Sequence, residues 1–477
     1  MLRPWDLKIE IDKQSDQAVY LQIADAIISD IHSGRLKAGD ALPGSRNLAQ
    51  LLQVNRNTVV QALDVLINEG WLISKSRKGI FVSDTLPGFS AAKQNKPSLV
   101  KENKKTQPAP AFHIFFDDGR PDSKIAPMAE LSRAYRQIFN RKAKWRMMEY
   151  GSAFGDLEFR IAIAQMLNHQ RGMRVNENSI CITRGSQMAM YLIAQCFFEK
   201  DDCVIVENPG YKSAWRAFEM VGAKVLPVKL DKDGLIVDDV IALLASNPRI
   251  KAIYITPHRQ YPTTVTLSLQ RRLRLIELSN QYGFTIIEDD YDNEFHFGYR
   301  PLLPMSSFLE LKNYIYVGTM SKVVAPALRI GYLATSSDVL LKKIGDLRKI
   351  IDVQGDTIME KAVLELIIDG TMKRHIRKAT HHYKLKRDLM ADLLAKYLHH
   401  VVNYDLPEGG LAFWIEPKKT VNWNKIITKL HEKGIDIVPP THYTDDESAN
   451  SIRLGYGSLS EDEMEEGLKI LGNLLSN

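Results

Sequence analysis

Four short stretches of this 477-residue chain carry residue types that could act together on one ligand. Lys322 lies in Thr319-Met320-Ser321-Lys322, a polar turn after the apolar run 314–317, and Arg329 follows seven residues later. An amine held at a strand end forms an imine with an aldehyde once its surroundings suppress its charge. The hydroxyls of Thr319 and Ser321 and the guanidinium of Arg329 suit a phosphate dianion. An aldehyde that bears a phosphate is pyridoxal 5'-phosphate (PLP), and these residues point to it. Asp289, in Glu288-Asp289-Asp290-Tyr291 after a buried run, can pair with a pyridinium nitrogen, while Tyr291 can donate to the ring's phenolic oxygen. Gly185, Ser186 and Gln187 open a helix whose first N–H groups favour a phosphate. Tyr211, in Asn208-Pro209-Gly210-Tyr211, offers a flat ring for stacking. Each piece alone has a bland explanation as a cap or a surface loop. Their order along the chain, with Lys322 33 positions after Asp289, favours one shared site.

Such a site needs strands to present it. Between residues 113 and 477, continuous apolar runs (SICITRG, CVIVENP, AIYITP, FTIIEDD, YIYVGT) alternate with helical patterns and end in polar or Gly/Pro residues. That predicts an α/β unit with a mostly parallel sheet, a ligand at the strand carboxyl ends and a smaller C-terminal α/β subdomain. Residues 84–112 are poor in bulky apolar side chains and carry five lysines against Asp84 and Glu102, the composition of a flexible linker.

Residues 1–83 read differently. An apolar stripe at Ala24, Ile27, Ile28 and Ile31 predicts a helix ended by Gly34. Ser45 is expected to cap a short helix through Leu52, and a second helix carries Val59, Leu63, Leu66 and Ile67. WLIS and GIFVS then form a hairpin, completing a winged helix-turn-helix. Asn55, Arg56, Asn57 and Thr58 fall where a recognition helix enters a major groove. Arg46 one helix back, with Lys75, Arg77 and Lys78 in the wing, would hold the DNA backbone. This module carries a net charge of only +1, so DNA contact rests on charge placement.

The run LPGSRNLAQLLQVNRNTVVQALDVLINEGWL with GIFV resembles the winged helix of GntR-type bacterial regulators, and the remainder resembles a fold-type I aminotransferase. Together they resemble the MocR subfamily. The resemblance implies that Lys322 is the Schiff-base lysine for PLP, Asp289 the pyridinium partner and Tyr291 the phenolate partner. It implies a phosphate cup of Gly185, Ser186, Gln187, Thr319, Ser321 and Arg329, stacking by Tyr211, and Tyr150 reaching the partner subunit's phosphate. Arg453, in Ile452-Arg453-Leu454-Gly455-Tyr456, matches the arginine that grips an effector carboxylate. The implied function is a transcriptional regulator that senses an amine, an amino acid or PLP through aldimine chemistry at Lys322. A working aminotransferase with an appended DNA-binding domain is the alternative, and at most partial transamination is expected. Implied partners are double-stranded DNA with two half-sites and a second copy, arranged head to tail. The chain departs from the family at Arg259, where a histidine is usual, and at Thr264, where a glycine is usual.

No apolar run reaches the ~18 residues of a membrane helix, and the N-terminus lacks a signal-peptide core, so a bacterial cytoplasmic location is expected. Cys181, Cys196 and Cys203 read as reduced thiols, and no metal is expected.

Overall fold

The computed structural model describes residues 9–12, 14–86, 112–140, 144–298 and 302–476. They divide into two compact units, one before and one after the stretch 87–111. Most of the linker expected over 84–112 therefore lies outside the described residues.

The first unit holds α1 (Val19–His32), α2 (Ser45–Leu52) and α3 (Arg56–Asn68), followed by β1 (Leu72–Lys75) paired antiparallel with β2 (Gly79–Val82). Its core holds Ala24, Ile27 and Ile31 of the expected α1 stripe with Ile23, against Leu48 of α2 and Val59, Ala62, Leu63 and Leu66 of α3, while the expected Ile28 and Ile67 are half-buried at its margin. Gly44, not Ser45, occupies the N-cap of α2, so Ser45 is the first helical residue. Its hydroxyl instead receives a bond from Arg56 Nε at 3.4 Å. Asn55 caps α3, accepting from the Asn57 N–H at 2.9 Å.

In the second unit an eight-stranded sheet carries the site. Its strands are β4 (Ile180–Thr183), β5 (Cys203–Asn208), β6 (Lys224–Asp231), β7 (Gly234–Leu235), β8 (Ile250–Ile255), β9 (Thr285–Asp290), β10 (Tyr314–Thr319) and β11 (Gly331–Thr335). The spatial order is β4-β11-β10-β9-β8-β5-β6-β7. The run β10, β9, β8, β5, β6 is parallel, while β11 pairs antiparallel with both β10 and β4, and β7 with β6. All five apolar runs picked out in the sequence lie in this one sheet. Buried side chains cover both faces, which is why those strands read as continuously apolar.

The antiparallel sheet of β12 (Val402–Tyr404), β13 (Ala412–Pro417) and β15 (Ile452–Gly455) forms the smaller subdomain. The first strand of the unit, β3 (Ile114–Phe116), pairs parallel with β14 (Ile435–Ile437), and Ile114 and Phe116 enter the same core as Leu430, Leu454 and Leu468. The unit thus opens inside its own C-terminal subdomain, a pairing no local pattern encodes. Among the described residues no helix is long and apolar enough to cross a membrane.

Gly155 shows how tightly the edge of the sheet is packed. It has φ +99°, and a Cβ there would lie 2.6 Å from Ile182 Cγ1 on β4. Gly155→Ala is expected to destabilise the second unit by about 1–3 kcal/mol through backbone strain and this overlap, seen as a lowered thermal midpoint with the first unit unaffected.

Candidate functional site

At the carboxyl ends of β8, β9 and β10 lies a cavity of about 440 Å³. Ser186, Tyr211, Asp289, Tyr291, Thr319, Ser321, Lys322 and Arg329 all line it. Residues separated by up to 143 positions therefore share one wall.

The end of β9 places three consecutive buried carboxylates, and strand alternation sends them different ways. Glu288 accepts from the Met305 N–H (2.8 Å), the Ser306 N–H (3.0 Å) and the Ser306 hydroxyl (2.8 Å). Asp290 is held by Arg171, by His258 Nδ1 at 3.0 Å and by the Tyr316 hydroxyl at 2.5 Å. Those partners keep its carboxyl well below the usual range although it is buried. Asp289 faces the cavity between them. Its Oδ2 accepts from the Tyr254 hydroxyl at 2.9 Å, and its Oδ1 is buried without a partner. Burial pushes the Asp289 carboxyl up to about 7, against the Tyr254 bond and the Lys322 charge. A buried carboxylate with one free oxygen is a site for a cationic N–H donor.

Lys322 lies in the turn after β10, with its side chain 18% exposed. Burial lowers its amine below the ordinary lysine value, opposed by Asp292. The Tyr291 ring lies 4.6 Å beneath Nζ. Two neighbours of Lys322 differ in availability. Thr319 donates its hydroxyl to the Ile330 carbonyl (3.2 Å) and accepts the Ser321 N–H (3.1 Å), so it shapes the turn. The Ser321 hydroxyl is buried without a partner.

The helix Gly185–Phe197 points its first turn at the same cavity, and its N-cap residue Arg184 provides no side-chain cap. Gly185 has φ +78°, and a Cβ there would fall 2.6 Å from the Arg329 guanidinium, which donates to the Arg184 carbonyl at 3.2 Å. Only glycine lets that guanidinium approach the helix start. Free N–H groups, a guanidinium and a free hydroxyl together make an anion-binding corner. Gln187 does not line the cavity. It accepts from the Tyr211 hydroxyl at 2.9 Å and so fixes that ring.

Two expected residues stand apart. Arg453 is fully buried behind the wall, donating to the carbonyls of Pro262 (2.6 Å) and Asp118 (3.2 Å) and lying 5.3 Å over the Tyr261 ring. Tyr150 is 89% exposed and lines no part of this chain's cavity. Sequence reasoning missed Tyr254, Asp118 and Asp292. Tyr254 had one available signal: a hydroxyl within the apolar run Ala252–Ile255 requires a partner.

In the first unit, Arg56 and Asn57 are exposed at the start of α3, and Lys75, Arg77 and Lys78 are exposed in the wing. Arg46 is exposed on α2 and Thr58 is half-buried. The Asn55 side-chain oxygen is engaged by its capping role, leaving its amide NH₂ for other partners.

Residues 120–471 match the model of the aminotransferase class I and II family, and residues 19–82 match that of the bacterial regulatory proteins of the gntR family. The chain is 25% identical over 480 residues to the probable rhizopine catabolism regulatory protein MocR of Rhizobium meliloti, covering 97% of this chain and 94% of that one. It is 27% identical over 472 residues to the HTH-type pyridoxine biosynthesis transcriptional regulator PdxR of Corynebacterium glutamicum, covering 96% of each. The crystal structure of Pyrococcus horikoshii kynurenine aminotransferase superposes with a TM-score of 0.72 at 26% identity, covering 77% of this chain and 91% of that one.

Tyr254→Phe removes the one hydrogen bond that the Asp289 carboxylate receives among the described residues and should push its carboxyl further up. A carboxyl raised on folding binds more protons folded than unfolded, so stability falls as pH rises from the ordinary carboxyl range through its folded value. Tyr254→Phe is therefore expected to cost the ligand-free protein about 1–2 kcal/mol above neutral pH and less in acid. Thermal unfolding of variant and parent on both sides of pH 7 measures the difference.

Proposed function

The chain belongs to the aminotransferase class I and II family and carries a gntR-family head; from that premise we propose that it is a bacterial DNA-binding transcriptional regulator of the MocR type that holds PLP and responds to an amine, an amino acid or PLP itself. The observation that carries this reading is the cavity wall. There a charge-suppressed lysine, a buried carboxylate with a free oxygen and an anion-binding corner face one another in a chain that begins with a winged helix.

These residues fit the cofactor. Asp289 Oδ1 would accept its ring N–H, the first turn of Gly185–Phe197 with Ser321 and Arg329 would hold its phosphate, and Tyr211 would border its ring. When bound, PLP supplies an aldehyde that bonds covalently to a primary amine. Lys322 provides such an amine, and an effector amine competes with it. An effector carboxylate would draw the Arg453 guanidinium from the Pro262 carbonyl, coupling the cavity to β15 and the smaller subdomain. The DNA response follows only if the two arrangements of the unit differ in affinity for the effector. DNA contact is assigned to Arg56, Asn57 and Thr58 with the amide of Asn55, and backbone contact to Arg46, Lys75, Arg77 and Lys78. Residues 1–83, 84–112 and 113–477 are the head, linker and effector domain of this reading, placed in the bacterial cytoplasm.

Exposed apolar residues flank in sequence the two partners of the bond from the Gly151 N–H to Gln354: Trp145 and Met148 precede Gly151, and Ile350, Ile351 and Val353 precede Gln354. These residues support a homodimer in which Tyr150 enters the partner subunit's cavity. Ile350→Glu is expected to shift the protein to monomer in analytical ultracentrifugation and to weaken cofactor retention.

The open cavity, with every cofactor-binding residue type present, favours a second reading as a working aminotransferase. One experiment separates the two. Lys322→Ala is expected to lose the visible absorbance of the bound cofactor that hydride reduction traps. It should also lose the amine-dependent change in operator binding while still binding DNA. Arg56→Ala should do the converse, weakening operator binding by about 1–3 kcal/mol with the absorbance intact. An unchanged DNA response in Lys322→Ala defeats the sensor reading, and multiple turnover of an amino acid to a keto acid by the parent establishes the enzyme.

A further inference from the structure

Asp292 does not line the cavity, yet it lies beside its most reactive group. Its side chain is 1% exposed and neither carboxylate oxygen receives a hydrogen bond. Oδ2 is 3.8 Å from Lys322 Nζ and 3.8 Å from Arg259 Nε, which is itself buried without an acceptor. One carboxylate oxygen thus stands between two cations and is hydrogen-bonded to neither. Arg259 is fixed from other directions: its guanidinium donates to the Asp292 backbone carbonyl and packs under Gly409 and Gly410. A Cβ on Gly410 would lie 2.7 Å from Asp292 Oδ2, so the turn entering β13 closes the space around the carboxylate.

We infer that Asp292 and Arg259 are positioning residues that set the charge on Lys322, with Asp292 holding the ammonium form and Arg259 competing with Lys322 for the same carboxylate. The inference rests on the proposed function only in taking Lys322 as the reactive amine. Only the uncharged amine is a nucleophile, so whatever sets its charge sets how readily it bonds to or yields an aldehyde. Asp292 and Arg259 are buried, so charges a few ångströms apart interact more strongly than in water. A guanidinium stays charged across the whole accessible pH range, which makes Arg259 a constant competitor where a histidine would titrate.

Other groups face the pair and remain in place when either residue is changed. Lys322 also meets Asp117, Asp118, Asp289, the Tyr291 ring and Arg453. Arg453 is tied to the Pro262 and Asp118 carbonyls. Asp292 also meets Glu294, Tyr291, Tyr383, Tyr456 and Arg453. The competition of the two cations for Asp292 predicts shifts of opposite sign.

The test uses the full chain without cofactor. Competitive labelling with trace acetic anhydride across a pH series, read on the Lys322 peptide by mass spectrometry, gives the pKa of that amine. Asp292→Asn is expected to lower it, and Arg259→Gln to raise it, each by about 1 unit. Arg259→Lys should stay near the parent, and the double variant Arg259→Gln/Asp292→Asn should follow Asp292→Asn. The pH titration of visible absorbance in the PLP-loaded protein should shift in the same directions. Shifts of one sign in both single variants, or no shift in either, overturn the inference, since a merely structural role has no reason to produce opposite signs. If Asp292→Asn does not fold, Arg259→Gln against Arg259→Lys carries the same comparison. A parent that binds no PLP defeats the proposed function while leaving the labelling result readable.

Discussion

Burying three consecutive carboxylates at the end of one strand is the constraint on which the rest of this site depends. Each charge removed from water costs several kcal/mol unless it finds cations or hydrogen bonds. Glu288 is satisfied by the start of the 305–307 turn, and Asp290 by Arg171, His258 and Tyr316. With its neighbours anchored, Asp289 has no freedom to turn away, and its unpartnered oxygen stays directed at the cavity. The carboxyl that fits a ligand is held by the two that do not touch it.

The opposite wall follows a second constraint, close approach of backbones. Gly331 on β11 lies so near Gly185 that a Cβ there would fall 2.6 Å from the Gly185 carbonyl carbon. That proximity brings Arg329, two residues earlier, onto the start of the helix Gly185–Phe197. Antiparallel pairing of β11 with both β10 and β4 therefore does more than extend the sheet. It joins the lysine turn to the anion-binding turn, although the two lie far apart in sequence. The turn that bears Lys322 is in turn shaped by Thr319, whose hydroxyl is committed to the Ile330 carbonyl.

A lysine in this setting is poised rather than simply reactive. Burial favours its neutral form and Asp292 favours its charged form, so modest changes around it alter its behaviour. For a regulator that balance matters more than rate. A ligand shifts a two-state equilibrium only by its differential affinity for the two states. In the reading proposed above, a covalent bond that forms and reverses would give a small amine enough interaction energy to supply that difference. In that reading the route outward would run through buried groups that touch both parts of the second unit: Arg453, on β15 and donating to the Pro262 carbonyl, and Arg259, under the turn that enters β13.

Much of this was legible from residue types and their spacing. Apolar periodicity set the helices and hairpin of the head, and continuous apolar runs located the five strands that meet at the cavity. Polar residues at or just beyond the ends of those runs named part of its wall, because a polar side chain after a buried strand has few places to go other than a ligand site. Local pattern failed where a hydroxyl had two possible partners: the Ser45 hydroxyl accepts from Arg56 on α3 while Gly44 takes the cap, and the Thr319 hydroxyl is committed to the Ile330 carbonyl. It also failed wherever the partner is remote. Nothing near Tyr254 indicates Asp289, nothing near Arg259 indicates Asp292, and nothing near Ile114 indicates pairing with residue 435. Sequence alone determined which chemistry the chain carries, since that depends on which groups exist and in what order they meet strand ends. Tertiary structure alone decided which carboxylate stays free, which hydroxyl is already used and which charge sits beside Lys322, because burial and pairing depend on distances that sequence separation does not encode.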